Sequence, residues 1–258
     1  MNELTAAPPW PPLLAAKGRF SQSAPHAHHG MHLVLAIDGA IYARVGDEPS
    51  PVKSAGIITE PDVAHEINFA SDDVLLVFID PESDAGAALR AVISGRARRI
   101  SSTERDAIDR ALSPLEIMRE GGVEWLRSVA SALGATLPRT RAKLHPAVSK
   151  VLSLARTMDD ESLSLGALAE SVGLSEGRLM HAFTESVGIP LRPYVAWLRV
   201  QRAVAAIAGG AALSEAAASA GFADASHMSR TFRKMLGLSP SELRAAIVAS
   251  PFKTEAPR

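Results

Sequence analysis

The chain has 258 residues, of which 47% are hydrophobic and 21% charged. This is ordinary globular usage, and it excludes a wholly disordered chain or a collagen-like repeat. The 27 basic and 28 acidic residues give a formal net charge of −1, so overall charge does not indicate a nucleic-acid partner. Cysteine is absent, which excludes disulfides, thiol nucleophiles and cysteine-ligated metal sites. No signal-peptide pattern and no membrane-length apolar run is present, so we expect a cytoplasmic protein without a membrane partner.

Changes of pattern along the chain predict an α+β fold with a β domain, a helical connector and an all-α C-terminal domain. Proline-rich sequence at the start predicts an extended arm, because proline suits neither a helix interior nor a central strand. Short apolar runs between turn-like clusters then predict the strands of a small sandwich or barrel. The predicted segments are an arm (1–18), a β domain (19–82), a connector (83–137), a hinge (138–145), a helical domain (146–248) and a tail (249–258).

The connector contains two amphipathic stretches, over 102–112 and 115–133, in which apolar residues recur at helical spacing. Gly121 and Gly122 interrupt the second stretch, because glycine is a poor helix former. The apolar faces predict either a homodimer surface or packing on the β domain.

An internal repeat marks the helical domain. The matching positions are Ala169, Gly173 and Phe183 in the first copy and Ala217, Gly221 and Phe232 in the second. In each copy the small residue allows close helix packing, and the glycine permits the positive φ that ends a helix. Ser175 and Asp224 are the predicted N-caps of the following helices. Each copy therefore predicts a helix-turn-helix motif, although a helical bundle with glycine turns is the alternative.

The second helix of each motif has one apolar face and one face with polar, basic or flexible side chains, which fits a DNA major groove. The polar face carries Arg178, Met180 and His181 in the first copy, and Ser226, Ser229, Arg230, Arg233 and Lys234 in the second. A long helix is predicted over Leu191–Ala208, and at 1.5 Å per residue it would span about 27 Å. It would place the two reading helices about one DNA turn, roughly 34 Å, apart.

This region resembles the AraC/XylS family of bacterial transcription regulators, over Pro146 to Val248. The segment from Gly221 to Lys234, followed by Gly237-Leu238-Ser239-Pro240, is similar to the signature of that family. By position, the resemblance implies base-edge readers at Gly177, Met180 and His181 in the first motif and at Ala225, Ser226, Ser229 and Arg230 in the second. Gly177 and Ala225 offer little or no side chain, so we expect His181 and Arg230 to read bases. We expect Arg178, Arg233 and Lys234 to hold phosphates, and His227 to have a structural role.

Four histidines lie near the start of the chain, and His26, His28 and His32 share the parity that places residues on one side of a strand. Together with His65 they resemble the two short motifs of cupin barrels, which implies a cupin-like N-terminal domain. His32 stands where the cupin motif has a glutamate. Neutral imidazoles predict a site for a divalent transition metal, a polar ligand pocket, a pH-sensitive cluster, or histidines without a ligand. His29, of opposite parity, is predicted to lie on the outside.

Together these patterns predict a DNA-binding transcription regulator controlled by an effector or metal in its N-terminal domain. By resemblance, the partners would be double-stranded DNA, a small molecule or metal, a second copy of the chain and, for an activator, RNA polymerase. A cupin-type metalloenzyme with an appended helical module is one alternative. We do not expect an enzyme, because no acid–base pair is recognisable. A protein-interaction adaptor is the other alternative, since Gly177 and Ala225 are poor DNA readers.

Overall fold

The computed structural model describes residues 14–18, 20, 22–69, 73–109, 122–135, 144–157 and 164–248. Predictions for the arm before residue 14, for residues 110–121, for the hinge up to residue 143 and for the tail fall outside these residues. The described strands are β1 Leu14–Gly18, β2 Met31–Ala36, β3 Ile41–Val45, β4 Val52–Ser54, β5 Gly56–Thr59, β6 His65–Phe69, β7 Val74–Ile79 and β8 Ala97–Ile100. The described helices are α1 Asp84–Arg90, α2 Ser102–Asp109, α3 Gly122–Ala132, α4 Pro146–Thr157, α5 Leu165–Ser171, α6 Glu176–Val187, α7 Leu191–Ala208, α8 Leu213–Ser219, α9 Ala225–Leu236 and α10 Pro240–Val248.

The strands form two antiparallel sheets, one in the order β1-β7-β2-β5-β8 and the other in the order β4-β3-β6. Every residue of β2 and β7 is buried, because both faces of the larger sheet are covered. On one face, Val34 and Phe78 join a core that includes Ile41 of the smaller sheet. On the other face, Leu33 and Val77 pack with residues of α1, α2 and α3. The predicted α+β fold, with an N-terminal β domain and a helical C-terminal region, is confirmed.

The strands extend beyond the range predicted for the β domain at both ends. β1 lies in the predicted arm and pairs with β7 from Leu14↔Phe78 to Gly18↔Val74. β8 lies in the predicted connector and pairs with β5. Both are edge strands of the larger sheet. β1 has the sequence Leu-Ala-Ala-Lys-Gly, and β8 has the sequence Ala-Arg-Arg-Ile with a single buried residue, so neither shows the apolar alternation that indicates a strand.

The connector helices pack on the larger sheet with their apolar faces. Ile108 of α2 and Trp125, Leu126 and Val129 of α3 are buried in one cluster with Leu33 of β2. This is the second of the two arrangements that the sequence left open. The described apolar residues of these helices are therefore covered within the chain rather than free to form a homodimer surface.

The helical domain contains the predicted repeat. Ser175 accepts a hydrogen bond from the backbone N–H of Arg178 and begins α6, and Asp224 accepts one from the backbone N–H of His227 and begins α9. Gly173 and Gly221 have positive φ of 67° and 79°, as the turns require. The predicted caps and turns are confirmed, and α7 spans Leu191–Ala208 as predicted.

The two motifs differ in what they pack against. The first motif (α5 and α6) shares a core with α4 and with one side of α7, which includes Phe183 and Tyr194. The second motif (α8 and α9) shares its core with the β domain: Phe222 and Phe232 belong to the same cluster as Trp197 and Phe78. Helix α7 thus lies between the two motifs and the β domain. Among the described helices, none is long and apolar enough to cross a lipid bilayer.

Candidate nucleic-acid interface and histidine cluster

Helix α6 presents its predicted reading residues to solvent. Its apolar side, which includes Leu179 and Phe183, is buried in the first motif. Gly177, Arg178, Met180 and His181 are exposed. Met180 is 46% exposed. The face is available for a ligand, and it carries Glu185 as well as the basic and apolar candidates.

Helix α9 has the same division into a buried and an exposed side. Met228, Phe232 and Leu236 are buried. The outward side holds the predicted residues Ala225, Ser226, Arg230, Arg233 and Lys234, all exposed, and Ser229, partly exposed. No acidic residue occurs in α9, so this face is locally basic although the chain as a whole is not. The ring of His227 packs edge-on against Phe222 with ring centroids 5.3 Å apart, and its structural role stays a prediction.

Helices α6 and α9 both pack on α7. One rigid element therefore carries both candidate reading helices. The predicted separation of one DNA turn stays a prediction, and so does the role of each reading residue.

The four histidines of the N-terminal domain form one buried cluster, although only His32 and His65 lie on strands. One ring nitrogen of each lies within 4.8 Å of those of the others. His26 and His65 are joined by a pair of backbone hydrogen bonds that bridge the two segments. Nδ1 of His32 is 3.1 Å from Nε2 of His65. We call His26, His28, His32 and His65 the histidine cluster.

Backbone carbonyls determine where the protons lie on three of these rings. Nδ1 of His26, His28 and His65 lies 2.7, 2.7 and 2.8 Å from the carbonyl oxygens of Ala24, Gly30 and Val63. A carbonyl only accepts, so each Nδ1 carries the proton and donates it. Nε2 of each of these three rings therefore carries no proton and is an acceptor. Nε2 of His28 has no hydrogen-bond partner, and neither has Nε2 of the fourth ring, His32.

Burial keeps the cluster uncharged. It disfavours the protonated ring, and together with the neighbouring His65 it lowers the pKa of His26 to about 3. The same two causes lower the pKa of His28 and His32 well below the usual value, and burial lowers the pKa of His65. All four rings are therefore neutral near pH 7, which is the form that ligates metals.

The cluster lies against the helical domain. The ring of Trp197, on α7, stacks on His28 with centroids 5.1 Å apart, and a Cβ at Gly30 would lie 2.8 Å from that tryptophan. At the end of α9, Gly237 accepts a backbone hydrogen bond of 2.9 Å from Ala24. A Cβ at Gly237 would overlap the carbonyl oxygen of Ala24 and lie 2.6 Å from Nδ1 of His26. Both α7 and α9 thus contact the cluster or the chain beside it.

His29 is buried, not outside as its parity predicted. Its two ring nitrogens each lie 2.9 Å from a carboxylate oxygen, one of Asp62 and one of Glu82. Burial opposes the charge, but these two hydrogen bonds outweigh it and raise the pKa of His29 to about 9. The parity rule failed because residues 27–30 are not in a strand, so alternate side chains need not point to opposite faces.

The structure adds interdomain residues that sequence reasoning missed. Arg156 on α4 pairs with Asp80, which follows β7, and donates to the hydroxyl of Tyr194 on α7. Tyr194 also packs edge-on against His29. Tyr194 and Trp197 lie three residues apart on α7, and that aromatic spacing was the available signal. The pairing of Asp80 with Arg156 joins residues far apart in the chain and left no local signal.

Known proteins resemble the helix-turn-helix region in sequence and nearly the whole chain in fold. Residues 168–246 match the model of a helix-turn-helix domain family, of the AraC type. No curated protein matches the sequence. ToxT from Vibrio cholerae O395 shares the fold, with a TM-score of 0.59 and 12% identity over 92% of this chain and 98% of that chain.

Two further solved structures are similar. ToxT from Vibrio cholerae strain SCE256, with an unsaturated fatty acid bound, has a TM-score of 0.59 and 11% identity over 92% of this chain and 95% of that chain. An AraC-type DNA-binding regulator from Chromobacterium violaceum is 28% identical over 39% of this chain and 90% of that chain, with a TM-score of 0.37. The ToxT structures extend the likeness in fold across the N-terminal β domain.

Proposed function

Because residues 168–246 form an AraC-type helix-turn-helix domain, we propose that the protein is a sequence-specific DNA-binding transcription regulator whose N-terminal domain controls DNA binding. The observation that carries the proposal is the pair of capped, exposed helices α6 and α9 on a single linker helix. Their buried faces match each other residue by residue, and their outward faces lack the apolar cover that a helical bundle would give them.

In this proposal the two helices enter successive major grooves on one side of the duplex. His181 and Arg230 read base edges, because both are exposed, carry hydrogen-bonding groups and lie in the second turn of their helices, near the end that would enter the groove. Arg178, Arg233 and Lys234 contact phosphates. The remaining predicted residues complete the two surfaces. The small residues Gly177 and Ala225 permit close approach to the DNA, Met180 provides an apolar contact, and Ser226 and Ser229 provide hydroxyl groups.

The packing between the domains supports control by the N-terminal domain. The second motif shares a hydrophobic core with the β domain, so a ligand that shifts the β domain also acts on α9. ToxT, which has this fold, was solved with an unsaturated fatty acid bound, and this supports a fold that accepts a small effector. The protein would act in the cytoplasm, where its DNA lies. A homodimer would use a surface other than the described apolar faces of α2 and α3, because these are covered.

Regulation is a better assignment for the histidine cluster than catalysis. Among the described residues, no carboxylate belongs to the cluster, and Trp197 of the helical domain covers His28. All four rings are buried, between 3% and 6% exposed, whereas an enzyme site must open to its substrate. A group bound at the cluster would therefore act as an effector and not as a catalytic cofactor.

The experiment is selection of genomic DNA fragments by the purified full chain, followed by fluorescence anisotropy on the enriched sequence. We expect a motif with two half-sites about 10 base pairs apart. Arg230→Ala should reduce affinity for that motif, and Arg244→Ala, an exposed arginine on α10, should not. Failure to enrich any sequence would favour the adaptor alternative.

A further inference from the structure

We propose that the histidine cluster binds one divalent transition-metal ion through four imidazoles, and that the bound ion holds the β domain against both α7 and α9. The regulatory half of this inference rests on the proposed function. The metal-binding half rests on the cluster alone.

The positions of the four rings suit a single ion. Their candidate ligand atoms lie within 4.8 Å of one another, and two of them, on His32 and His65, are 3.1 Å apart. Nitrogens around a zinc ion at about 2.0–2.1 Å are about 3.3 Å from each other. Small rotations of the side chains therefore bring the cluster to ligating distance.

The hydrogen bonds already present are those of ligating histidines. A metal-bound imidazole commonly donates its other ring N–H to a backbone carbonyl or carboxylate, which holds the ring in place. His26, His28 and His65 each donate Nδ1–H to a carbonyl. The opposite nitrogen of His28 is buried without a hydrogen-bond partner. A buried acceptor without a partner is unfavourable, and a cation supplies the partner that this atom lacks.

The donor set indicates the class of ion. Four neutral imidazoles without thiolate or carboxylate suit zinc, nickel, copper(II) and cobalt(II), and do not suit magnesium or calcium, which prefer oxygen ligands. The histidine at position 32, where the cupin motif has a glutamate, is what makes the set entirely imidazole.

The cluster lies where an ion can act on the linker helix α7 and on the reading helix α9. His28 stacks on Trp197 in the middle of α7, and the Ala24–His26 segment contacts Gly237 at the end of α9. A bound ion draws His26 and His28 toward His65 and so fixes the Ala24–His26 segment. The β domain is then held in its docked position against the helical domain. An ion that binds the docked arrangement better shifts the population toward it.

Metal binding is tested on the full chain after removal of metals with a chelator. Zinc, nickel, cobalt(II) and copper(II) salts are titrated separately, and bound metal is counted by elemental analysis. We expect one ion per chain for at least one metal. His28→Gln combined with His65→Gln should weaken binding by more than about 100-fold, since two ligands are lost. His145→Gln, at an exposed histidine outside the cluster, should leave it unchanged.

A readout on the unmodified chain keeps the test independent of how the variant folds. X-ray absorption of the wild-type zinc or nickel complex should show four imidazole ligands. Absence of binding with all four metals, binding that survives the double substitution, or a spectrum with fewer than four imidazoles would each overturn the site.

The regulatory half is tested by measuring affinity for the selected DNA with and without the metal. We expect a change of at least about fivefold, and the same factor in metal affinity when DNA is present, because coupling between sites is reciprocal. Metal binding without any effect on DNA affinity would overturn the coupling. A chain that binds metal through four imidazoles but no specific DNA would instead overturn the proposed function and leave the metal site standing.

Discussion

Trp197 stacks on His28, with ring centroids 5.1 Å apart and ring planes 14° from parallel. The two residues belong to opposite sides of the interdomain contact, because His28 precedes β2 and Trp197 lies within α7. The same tryptophan packs against Phe78 of β7. The linker helix between the two motifs thus contacts the histidine cluster directly. We expect a substitution at either residue to alter the position of the other.

Replacement of this tryptophan tests that link. Trp197→Ala removes a ring that is 2% exposed, and we expect a loss of about 3–5 kcal/mol in the free energy of unfolding. DNA affinity should change as well, because α7 is no longer held by the β domain. Urea unfolding and anisotropy measure the two effects.

Trp125→Ala is the matched control. Trp125 is equally buried, but it lies between α3 and the larger sheet, away from the helical domain. Trp125→Ala should lower the free energy of unfolding by a similar amount and leave the DNA affinity of the folded fraction unchanged. Equal DNA binding by the two variants would contradict a role for Trp197 beyond stability.

A second pair of substitutions compares the glycines that end the two reading helices. Gly188 and Gly237 both have positive φ, 88° and 67°, so alanine at either position costs about 1–2 kcal/mol of stability. A Cβ at Gly188 meets no atom within 4 Å, whereas at Gly237 it would overlap Ala24 and contact His26.

Gly237→Ala should therefore do more than strain its own turn. We expect faster hydrogen exchange at Ala24 and His26, whose backbone N–H groups bond to Gly237 and His65, because the end of α9 is pushed away from them. Gly188→Ala should not change exchange there. Identical exchange in both variants would show that the contact at Gly237 does not hold the domains together.

The features predicted from sequence are those that local physics determines. The two motifs follow from apolar spacing, from caps at Ser175 and Asp224, and from glycines at 173 and 221 that allow positive φ. Each of these signals acts within a few residues. The same holds for α7, whose uninterrupted helix-forming sequence begins after Pro190 and ends before Gly209.

The features that were missed depend on packing between distant segments. His29 was misplaced because strand parity was applied to residues that form no strand, and its position is set by Asp62 and Glu82. β1 and β8 are recognisable only by their partners β7 and β5. The docking of the cluster on Trp197 and Gly237 needs the tertiary fold.

The ion pair between Asp80 and Arg156 should contribute to domain docking. Asp80 is 1% exposed and Arg156 17%, and removal of one partner of a buried pair costs about 3–5 kcal/mol. We expect Arg156→Met to lower the free energy of unfolding by an amount in this range and to increase proteolysis between the β and helical domains. Arg44→Met, which removes the partner of Glu66 on the β domain surface, should change stability little. Equal effects of the two substitutions would contradict the interdomain role.

The last prediction separates base reading from phosphate contact on α9. Both Arg230 and Lys234 are exposed and basic, so their charge alone does not distinguish them. Arg230 lies in the second turn of the helix, near the end that would enter the groove, and Arg230→Ala should cost about 1–3 kcal/mol of specific affinity and relax the preference at one base pair. Lys234 lies one turn further on, and Lys234→Ala should weaken binding to all sequences alike and reduce the salt dependence by about one counterion. Anisotropy titrations at several salt concentrations, on the selected site and on its single-base variants, measure both. The same loss from both variants on every sequence would mean that Arg230 also contacts only the backbone, and base reading by the second motif would then have to come from Ser226 and Ser229.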